Sequence, residues 1–286
     1  MIDLHDIRYV HLGTHDMESA VTFATKIVGL QKAEETSKRV YFRSDAREHT
    51  LSYFEGDPNH HIVGFEVKSA DHLEAAGREL DNANYKVKYA SAEECEFRHS
   101  SRVLQFQDPS GNNIELVWRP EANNGRNYFP TRAAGITDFS HIGLCTTDAK
   151  RDEKFWTEIC NAKVSDWIGE APLLRIDEIH HKLALFPTDH AGIQHINHQV
   201  ESIDDIMRAW YFLKEQGVRI VFGPGRHPTS GAIFLYFEGP NGMVYEYSTG
   251  VSNITDEENH HPRRFPFTPE GFCMWGSKPD IPEFGD

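Results

Sequence analysis

Three side chains in the second half of the chain could bind a metal ion, although each lies in an otherwise apolar segment. His141 is in FSHIGLC, His195 is in QHINHQV, and Glu246 is in MVYEYST. A carboxylate is costly to bury without a compensating charge, so Glu246 needs a partner. Two imidazoles and one carboxylate form the facial donor set that holds Fe(II) while leaving coordination positions open. These residue types therefore predict a metal centre built by His141, His195 and Glu246.

The first half of the chain repeats this pattern. PSGNNIELVWRP begins at Pro109 and PNGMVYEYSTG begins at Pro240, so Glu115 is the counterpart of Glu246. Similar offsets of 130 to 133 residues align further side chains, namely His11 with His141, His49 with His181, and Asp71 with Asp204. Because a fixed period indicates repeated structural units, both halves are interpreted as copies of one ancestral domain.

Four amphipathic segments predict the helices that position these residues. They begin at Met17, Asp71, Lys150 and Asp204, and the pair repeats after 133 residues. Each follows a strand-like run and precedes several more, so the unit is roughly a strand, a helix and three strands, present four times. The pattern predicts an α+β fold with two domains, each a pair of βαβββ modules. We expect domains at 1–120 and 136–250, a linker at 121–135, and a tail at 251–286 that extends over the active site.

Composition excludes several classes of partner. The chain has 286 residues, 39% of them hydrophobic, and a formal net charge of −15. Binding to nucleic acid or to an anionic membrane surface requires clustered Lys and Arg, so neither partner is expected. The opening lacks the apolar core of a signal peptide, and no run approaches 18 apolar residues. Four cysteines without CxxC spacing fit reduced, buried thiols. The expected location is the cytoplasm.

Several motifs in the second half occur in the order of a known enzyme family. They are FSHIGLC, HHKLALF, QHINHQV, GPGRHPTSGAIFLYFEGPNG and the closing EYSTG. Together with the βαβββ modules they resemble the type I extradiol ring-cleavage dioxygenases of the vicinal oxygen chelate superfamily. The resemblance implies an iron-dependent enzyme that opens a substituted catechol with O2 during aromatic-compound catabolism. It implies Fe(II) bound by His141, His195 and Glu246, with Mn(II) accepting the same donors, and a homo-oligomeric assembly.

The same resemblance assigns further roles in catalysis. It implies that His181 is the acid/base, that His227 is a substrate-side hydrogen bonder, and that Tyr236 donates to the catechol oxygen. His180 stays an alternative to His181, because adjacent strand residues are expected to face opposite sides of a sheet. This alternation also puts Asn197 on the face of His195, where it would line the pocket.

Two other positions bear on the substrate. Phe222 stands where relatives that take acidic catechols tend to place an arginine, so it favours a neutral, lipophilic substituent. The tail contains Arg264 within NHHPRRFPFTPEGFCMWG. If the tail folds over the pocket, Arg264 would bind an anionic group, because a guanidinium pairs well with carboxylates. A solvated arginine on a surface-wrapping tail is the alternative.

The first half lacks parts of the predicted apparatus. The position equivalent to His195 is Ile62, and a bulge would be needed to bring His61 into its place. Gln105 stands at the position equivalent to Tyr236. The resemblance implies a metal-free amino-terminal domain, in which Glu115 would be a polar relic paired with Arg102 or His11.

Two other functions are compatible with parts of the pattern. A glyoxalase-like isomerase or metal-dependent thiol transferase would share the fold, but would usually carry more carboxylate ligands. A metal-free ligand-binding protein would need none of the three predicted ligands.

Overall fold

The computed structural model describes residues 1–119 and 127–284, which form two mixed β-sheets with helices packed against them. Residues 120–126 of the expected domain boundary and linker, and residues 285–286 of the tail, lie outside the described residues. No helix in the described ranges is long and apolar enough to cross a membrane.

The first half contains eight strands and three α-helices. The elements are β1 (Leu4–Thr14), α1 (Met17–Thr22), β2 (Gln31–Glu35), β3 (Arg39–Arg43), β4 (Leu51–Glu55), β5 (His61–Val67), α2 (Ala70–Asn82), β6 (Lys88–Tyr89), α3 (Ala92–Glu96), β7 (Arg102–Gln107) and β8 (Asn113–Trp118). A π-helical turn, Phe23–Val28, continues α1.

The second half repeats this order and adds elements from the tail. They are β9 (Ile136–Thr146), α4 (Ala149–Lys154), β10 (Lys163–Ile168), β11 (Ala171–Arg175), β12 (Leu183–Pro187), β13 (Gly192–Val200), α5 (Ile203–Glu215), β14 (Ile220–Arg226), β15 (Ile233–Glu238), β16 (Val244–Thr249), β17 (Arg263–Phe265) and α6 (Pro269–Phe272). A second π-helical turn, Phe155–Ile159, continues α4, and single 3-10 turns cover Pro240–Gly242 and Pro282–Phe284.

The two sheets share one topology. The first has the order β2-β3-β4-β1-β5-β8-β7-β6. The second has β14-β15-β16-β13-β9-β12-β11-β10, the same order read from the other edge, followed by β17. Each half therefore consists of two βαβββ modules joined through their first strands. The predicted α+β fold of paired βαβββ modules is confirmed.

Local sequence explains why the two long helices begin at equivalent places. Ser69 caps α2 by accepting a hydrogen bond from the backbone N–H of His72, and Ser202 caps α5 through the backbone N–H of Asp205. Such a side chain satisfies a backbone donor that has no partner within the helix. The helices pack a buried stripe against the sheets, which in α5 includes Ile206 and Leu213.

One described strand lies outside the sixteen that four βαβββ modules predict. β17 forms because the tail returns to pair in parallel with β10, Arg263 lying opposite Asp166. A pairing of segments that are this far apart in sequence has no local signal.

The two halves are joined by buried polar contacts as well as by a common hydrophobic core. The hydroxyl groups of Tyr53 and Tyr245 lie 2.5 Å apart. Arg47 of the first half forms a salt bridge with Asp138 of the second half at 3.1 Å, and Lys182 of the second half forms one with Asp6 of the first at 2.9 Å. These contacts fix the second sheet against the first.

Candidate metal and substrate site

Three neighbouring strands in the middle of the second sheet carry the predicted metal ligands. β13 lies between β16 and β9, and supplies His195, while β16 supplies Glu246 and β9 supplies His141. Gly143 lies opposite His195 across β9 and β13, and a Cβ atom there would approach the His195 ring to 2.5 Å. The absence of a side chain at Gly143 therefore leaves room for the imidazole.

The ligand atoms of these residues converge on one point. The Nε2 atoms of His141 and His195 are 3.1 Å apart. Oε2 of Glu246 lies 2.9 Å from Nε2 of His141 and 3.5 Å from Nε2 of His195. An octahedral cation held at about 2.1 Å from its ligands places neighbouring ligand atoms roughly 3.0 Å apart. The three side chains therefore fit one face of an octahedral metal ion.

Glu246 is buried without a protein hydrogen bond. It is 1% exposed, and within the described part of the chain neither carboxylate oxygen has a hydrogen-bond partner of acceptable geometry. Burial alone would raise the pKa of Glu246, but the adjacent His141 and His227 rings outweigh it and hold that pKa well below its ordinary value. An ionised, orphaned carboxylate in this position calls for a cation.

His195 is held in the form that a metal requires. Burial lowers the pKa of His195 to about 3, against a smaller opposing effect from the Glu246 charge, so its ring is neutral at neutral pH. Its Nδ1 forms a hydrogen bond with Oε1 of Gln194. Because an amide oxygen only accepts, Nδ1 carries the hydrogen and Nε2 keeps its lone pair for the metal.

His181 lies beside the cluster, whereas His180 lies behind it. The ring centroids of His141 and His181 are 4.3 Å apart. Nδ1 of His181 is 3.1 Å from Nδ1 of His180, and Nε2 of His180 is 3.0 Å from Oδ2 of Asp166. Both residues precede the first residue of β12, so strand alternation does not set the directions of their side chains.

The hydrogen-bond chain from Asp166 assigns the tautomers of both rings. A carboxylate only accepts, so His180 donates from Nε2, and its Nδ1 accepts from Nδ1–H of His181. Burial lowers the pKa of His180 despite the opposing effect of Asp166, which leaves the ring neutral. Burial, with the neighbouring His141, also lowers the pKa of His181 well below its ordinary value. Nε2 of neutral His181 is then a free proton acceptor.

His227 and Tyr236 form a second hydrogen-bonded pair next to Glu246. Nδ1 of His227 is 2.8 Å from the carbonyl oxygen of Phe272, and its Nε2 is 3.2 Å from the Tyr236 hydroxyl. His227 Nε2 also lies 3.6 Å from Oε1 of Glu246. Burial raises the pKa of Tyr236 well above its ordinary value, and the Glu246 charge adds to this effect, so the phenol remains a hydrogen-bond donor.

Aromatic side chains cover this pair from the outside. The Phe222 ring centroid is 5.5 Å from Tyr236 and 6.3 Å from His227. Phe284, from the tail, lies 6.1 Å from Phe222 and 6.0 Å from Tyr236. Phe272 stacks on Phe284 at 4.7 Å. The tail therefore packs against the side chains that the sequence assigned to substrate.

Asn197 and Arg264 occupy different surroundings from His227 and Tyr236. Asn197 is the parallel-strand neighbour of Glu246, is fully buried and donates from Nδ2 to Oγ of Ser248 at 2.8 Å. Arg264 is exposed, with its guanidinium 4.6 Å from the Trp167 ring centroid and hydrogen-bonded to the Gly169 carbonyl. The structure thus does not bring Arg264 to the cluster.

Arg263, the neighbour of Arg264, is the tail arginine that reaches toward the site. Its Nη2 is 2.6 Å from Oδ2 of Asp166, and its backbone N–H also donates to Asp166 at 2.7 Å. Through Asp166 and His180 it therefore connects to His181. It neutralises the buried carboxylate to which His180 donates.

In the first half an arginine supplies the positive charge next to the equivalent carboxylate, Glu115. Arg98 contacts both carboxylate oxygens of Glu115, with Nε at 2.7 Å from each. Gln105 donates to Oε1 of Glu115 at 2.8 Å, and the Tyr9 hydroxyl donates to Oε2 at 2.7 Å. The expectation that Glu115 pairs with Arg102 or His11 is therefore wrong: a loop residue, Arg98, reaches it instead.

The second ligand position of the first half is apolar. Ile62 lies opposite Asn113 across β5 and β8, as His195 lies opposite Val244 across β13 and β16. His61 turns away, because its Nε2 lies 2.8 Å from the Pro58 carbonyl and its Nδ1 accepts from the backbone N–H of Ile193. Among the described residues, His11 and Glu115 belong to no cluster of three metal-binding side chains.

The sequence model of the glyoxalase/bleomycin resistance protein/dioxygenase superfamily matches residues 6–116 and 138–247. The chain belongs to this superfamily. The two matched regions coincide with the two sets of βαβββ modules, and the second contains His141, His195 and Glu246.

Relatives within this superfamily include extradiol dioxygenases. The chain is 23% identical over 277 residues to an iron-dependent extradiol dioxygenase of Rhodococcus jostii, covering 90% of this chain and 92% of the relative. It is 27% identical over 276 residues to 3-methylcatechol 2,3-dioxygenase of Pseudomonas putida, covering 89% and 92%. The resemblance to extradiol ring-cleavage dioxygenases is confirmed.

Solved structures agree on the fold. A halotolerant catechol dioxygenase superposes with a TM-score of 0.88 at 22% identity, covering 99% of this chain and 98% of that structure. A Mn(II)-bound glyoxalase from Novosphingobium aromaticivorans superposes with a TM-score of 0.86 at 24% identity, covering 99% and 94%. Because both activities use this fold, the chemistry has to be inferred from the site.

Gln194, Asp166 and Arg98 are absent from the sequence-based site. Asp166 carried the same signal as Glu246, namely a carboxylate within a strand, in KVSDWI. Gln194 directly precedes His195, but adjacency gives no indication of a side-chain contact. Arg98 lies in the shortened counterpart of the GPGRH loop, and only the folded loop directs it to Glu115.

Proposed function

We propose that this protein is an iron-dependent extradiol dioxygenase that opens the ring of a substituted catechol with O2, and that His141, His195 and Glu246 bind the iron. The observation that carries the proposal is the convergence of two imidazoles and a buried carboxylate that has no hydrogen-bond partner among the described residues. The neutral ring of His195 and the ionised carboxylate of Glu246 are the forms that bind a divalent metal.

Bound Fe(II) would supply a centre that accepts both catechol oxygens and O2 and so allows electrons to pass between them. The protein residues would handle the protons. His181, neutral and with Nε2 free, can accept the proton that a catechol loses on binding and return it later. Tyr236, whose pKa is raised by burial, would donate a hydrogen bond to a catecholate oxygen. His227 would hold Tyr236 in place.

The substrate class follows from the wall around Tyr236. Phe222, Phe234 and Phe284 surround it with aromatic surface, and the tail cation Arg263 is paired with Asp166. An apolar substituent would be stabilised there, whereas a carboxylate would lose hydration without a pairing cation. We propose a catechol with a neutral alkyl or aryl substituent.

The test is oxygen uptake by anaerobically prepared, Fe(II)-loaded protein with a panel of diols. Catechol, 3-methylcatechol, 2,3-dihydroxybiphenyl and a carboxymethyl catechol would be compared, together with formation of the yellow ring-opened product. The proposal predicts one O2 consumed per ring opened and a higher kcat/KM for the neutral substituted diols. A metal-loaded protein that consumes no O2 with any diol would refute it and favour the glyoxalase-like alternative.

A further inference from the structure

A second group of potential metal ligands lies outside the site described above. A sulfur of Cys145, a ring nitrogen of His190 and a carboxylate oxygen of Glu283 all lie within 4.8 Å of one another. Cys145 is near the end of β9, His190 is in the loop between β12 and β13, and Glu283 is in the turn Pro282–Phe284. Three separate segments therefore contribute one donor each.

The three residues differ in mobility in a way that suits closure around an ion. Cys145 is buried and fixed by its strand partners Phe186 and Gly192. His190 is exposed and Glu283 is half-buried, so both side chains can move. A tetrahedral zinc site with metal–ligand distances of about 2.0 to 2.3 Å needs ligand atoms roughly 3.3 to 3.6 Å apart. Rotation of the two mobile side chains can shorten the present separations, which reach up to 4.8 Å, to this range.

The local charges favour a cation. Burial raises the pKa of the Cys145 thiol to about 12, and the Glu283 charge adds to this rise. Glu283 forms no salt bridge within residues 1–119 and 127–284. Nδ1 of His190 is 2.8 Å from Oδ1 of Asp189, which leaves Nε2 free for a metal. A bound divalent ion would deprotonate the thiol and neutralise the carboxylate beside it.

We propose that Cys145, His190 and Glu283 form a second metal site, selective for a borderline ion such as Zn²⁺, which fastens the carboxyl-terminal segment to the sheet. Thiolate, imidazole and carboxylate together favour zinc over the harder cations that prefer oxygen ligands alone. The site shares no ligand with the His141, His195 and Glu246 cluster. It does not depend on the reaction proposed above.

Glu283 lines a cavity that reaches Gln194, so an ion bound at this site would fix one wall of that cavity. The next residue, Phe284, packs against Phe186 at 4.8 Å and Tyr236 at 6.0 Å. A cavity of about 450 Å³ is lined by Ile281, Pro282 and Glu283 on one side, and by Gln194 and Val244 on the other. Zinc would therefore hold in place the segment that forms one wall of a cavity reaching Gln194, the hydrogen-bond partner of His195.

Cobalt substitution tests the site directly. Co²⁺ replaces zinc in such sites and gives a near-ultraviolet charge-transfer band only when a thiolate is a ligand, so the sulfur-free first cluster is silent in this band. Full-length protein titrated with Co²⁺ should develop the band with one equivalent per chain. Added Zn²⁺ should abolish it. The His195→Ala variant, which lacks a ligand of the first cluster, should keep it.

Three single variants and one control assign the ligands. Cys145→Ser should abolish the band, while Cys95→Ser, a change at another buried thiol, should leave it intact. His190→Ala and Glu283→Gln alter accessible side chains that the fold does not require, and each should weaken cobalt binding at least tenfold.

Three results would overturn the proposal. One is the absence of a thiolate band in wild-type protein at saturating Co²⁺. A second is a band that persists in Cys145→Ser. The third is a cobalt affinity that is unchanged in both His190→Ala and Glu283→Gln. Because the readout is spectroscopic and needs no diol, its outcome is separate from that of the oxygen-uptake test.

Discussion

Replacing Arg98 by methionine tests the explanation of the first half. The variant keeps the aliphatic volume but removes the guanidinium that contacts both oxygens of Glu115. Glu115 is 2% exposed and Arg98 is 8% exposed, so the pair is shielded from solvent. Breaking a buried ion pair by removing one partner costs about 3 to 5 kcal/mol. Because Tyr9 and Gln105 still donate to Glu115, we expect a loss near the lower figure, about 3 kcal/mol.

The double variant Arg98→Met/Glu115→Gln is the matched control. Its neutral amide retains a partner for the Tyr9 hydroxyl and leaves no buried charge. We therefore expect its free energy of unfolding to lie within about 1.5 kcal/mol of wild type, since replacing both partners avoids the unpaired charge.

Urea unfolding followed by circular dichroism at pH 7.5 gives the required free energies. Iron content should stay at that of wild type in both variants, because Ile62 offers no ligand. The explanation fails if Arg98→Met loses less than about 1 kcal/mol, or if the double variant is as unstable as the single one.

Three further predictions concern residues around the second-half site. Asp166→Asn replaces the carboxylate that sets the tautomer of His180 by a neutral amide that can also donate, so kcat should fall roughly 10- to 100-fold with a displaced pH–rate profile and an almost unchanged KM. An unaltered profile would exclude this role. Gln194→Ala should weaken Fe(II) binding roughly tenfold in a chelator competition, whereas Gln199→Ala should not; equal affinities would contradict the orienting role of Gln194. The pKa of His198 is lowered to about 4 by burial, so its stabilising contribution is complete above about pH 6.5 and is lost as the pH falls toward 4. The free energy of unfolding of His198→Phe minus that of wild type, measured in urea, should accordingly be about 2 kcal/mol higher at pH 5 than at pH 8. The same difference at both pH values would contradict this.

The sequence predicts the repeated fold well because its signals are local. Alternating apolar residues define the strands, amphipathic segments from Asp71 and Asp204 mark equivalent helices, and the spacing of Glu115 and Glu246 shows the duplication. Burial of His141, His195 and Glu246 follows from the apolar segments that contain them. None of these inferences needs to know which segments meet in space.

The remainder depends on contacts between distant segments. Arg98 reaches Glu115 from a loop, Asp166 of β10 meets His180 in the segment before β12, and the tail places Phe284 against Tyr236. Arg264 illustrates the same limit: composition alone does not distinguish it from Arg263, and only the pairing of β17 with β10 decides which guanidinium reaches Asp166. Side-chain directions in such places are set by tertiary packing, which has no sequence period.

Metal analysis of two matched variants tests the central claim most directly. Glu246→Gln and Glu115→Gln change equivalent carboxylates of the two repeats to the same amide, and each protein would be loaded with Fe(II) anaerobically and desalted. We predict one iron per chain in wild type and in Glu115→Gln, and less than a tenth of that in Glu246→Gln. Full iron occupancy in Glu246→Gln, or its loss in Glu115→Gln, would contradict the assignment of the metal to the second half.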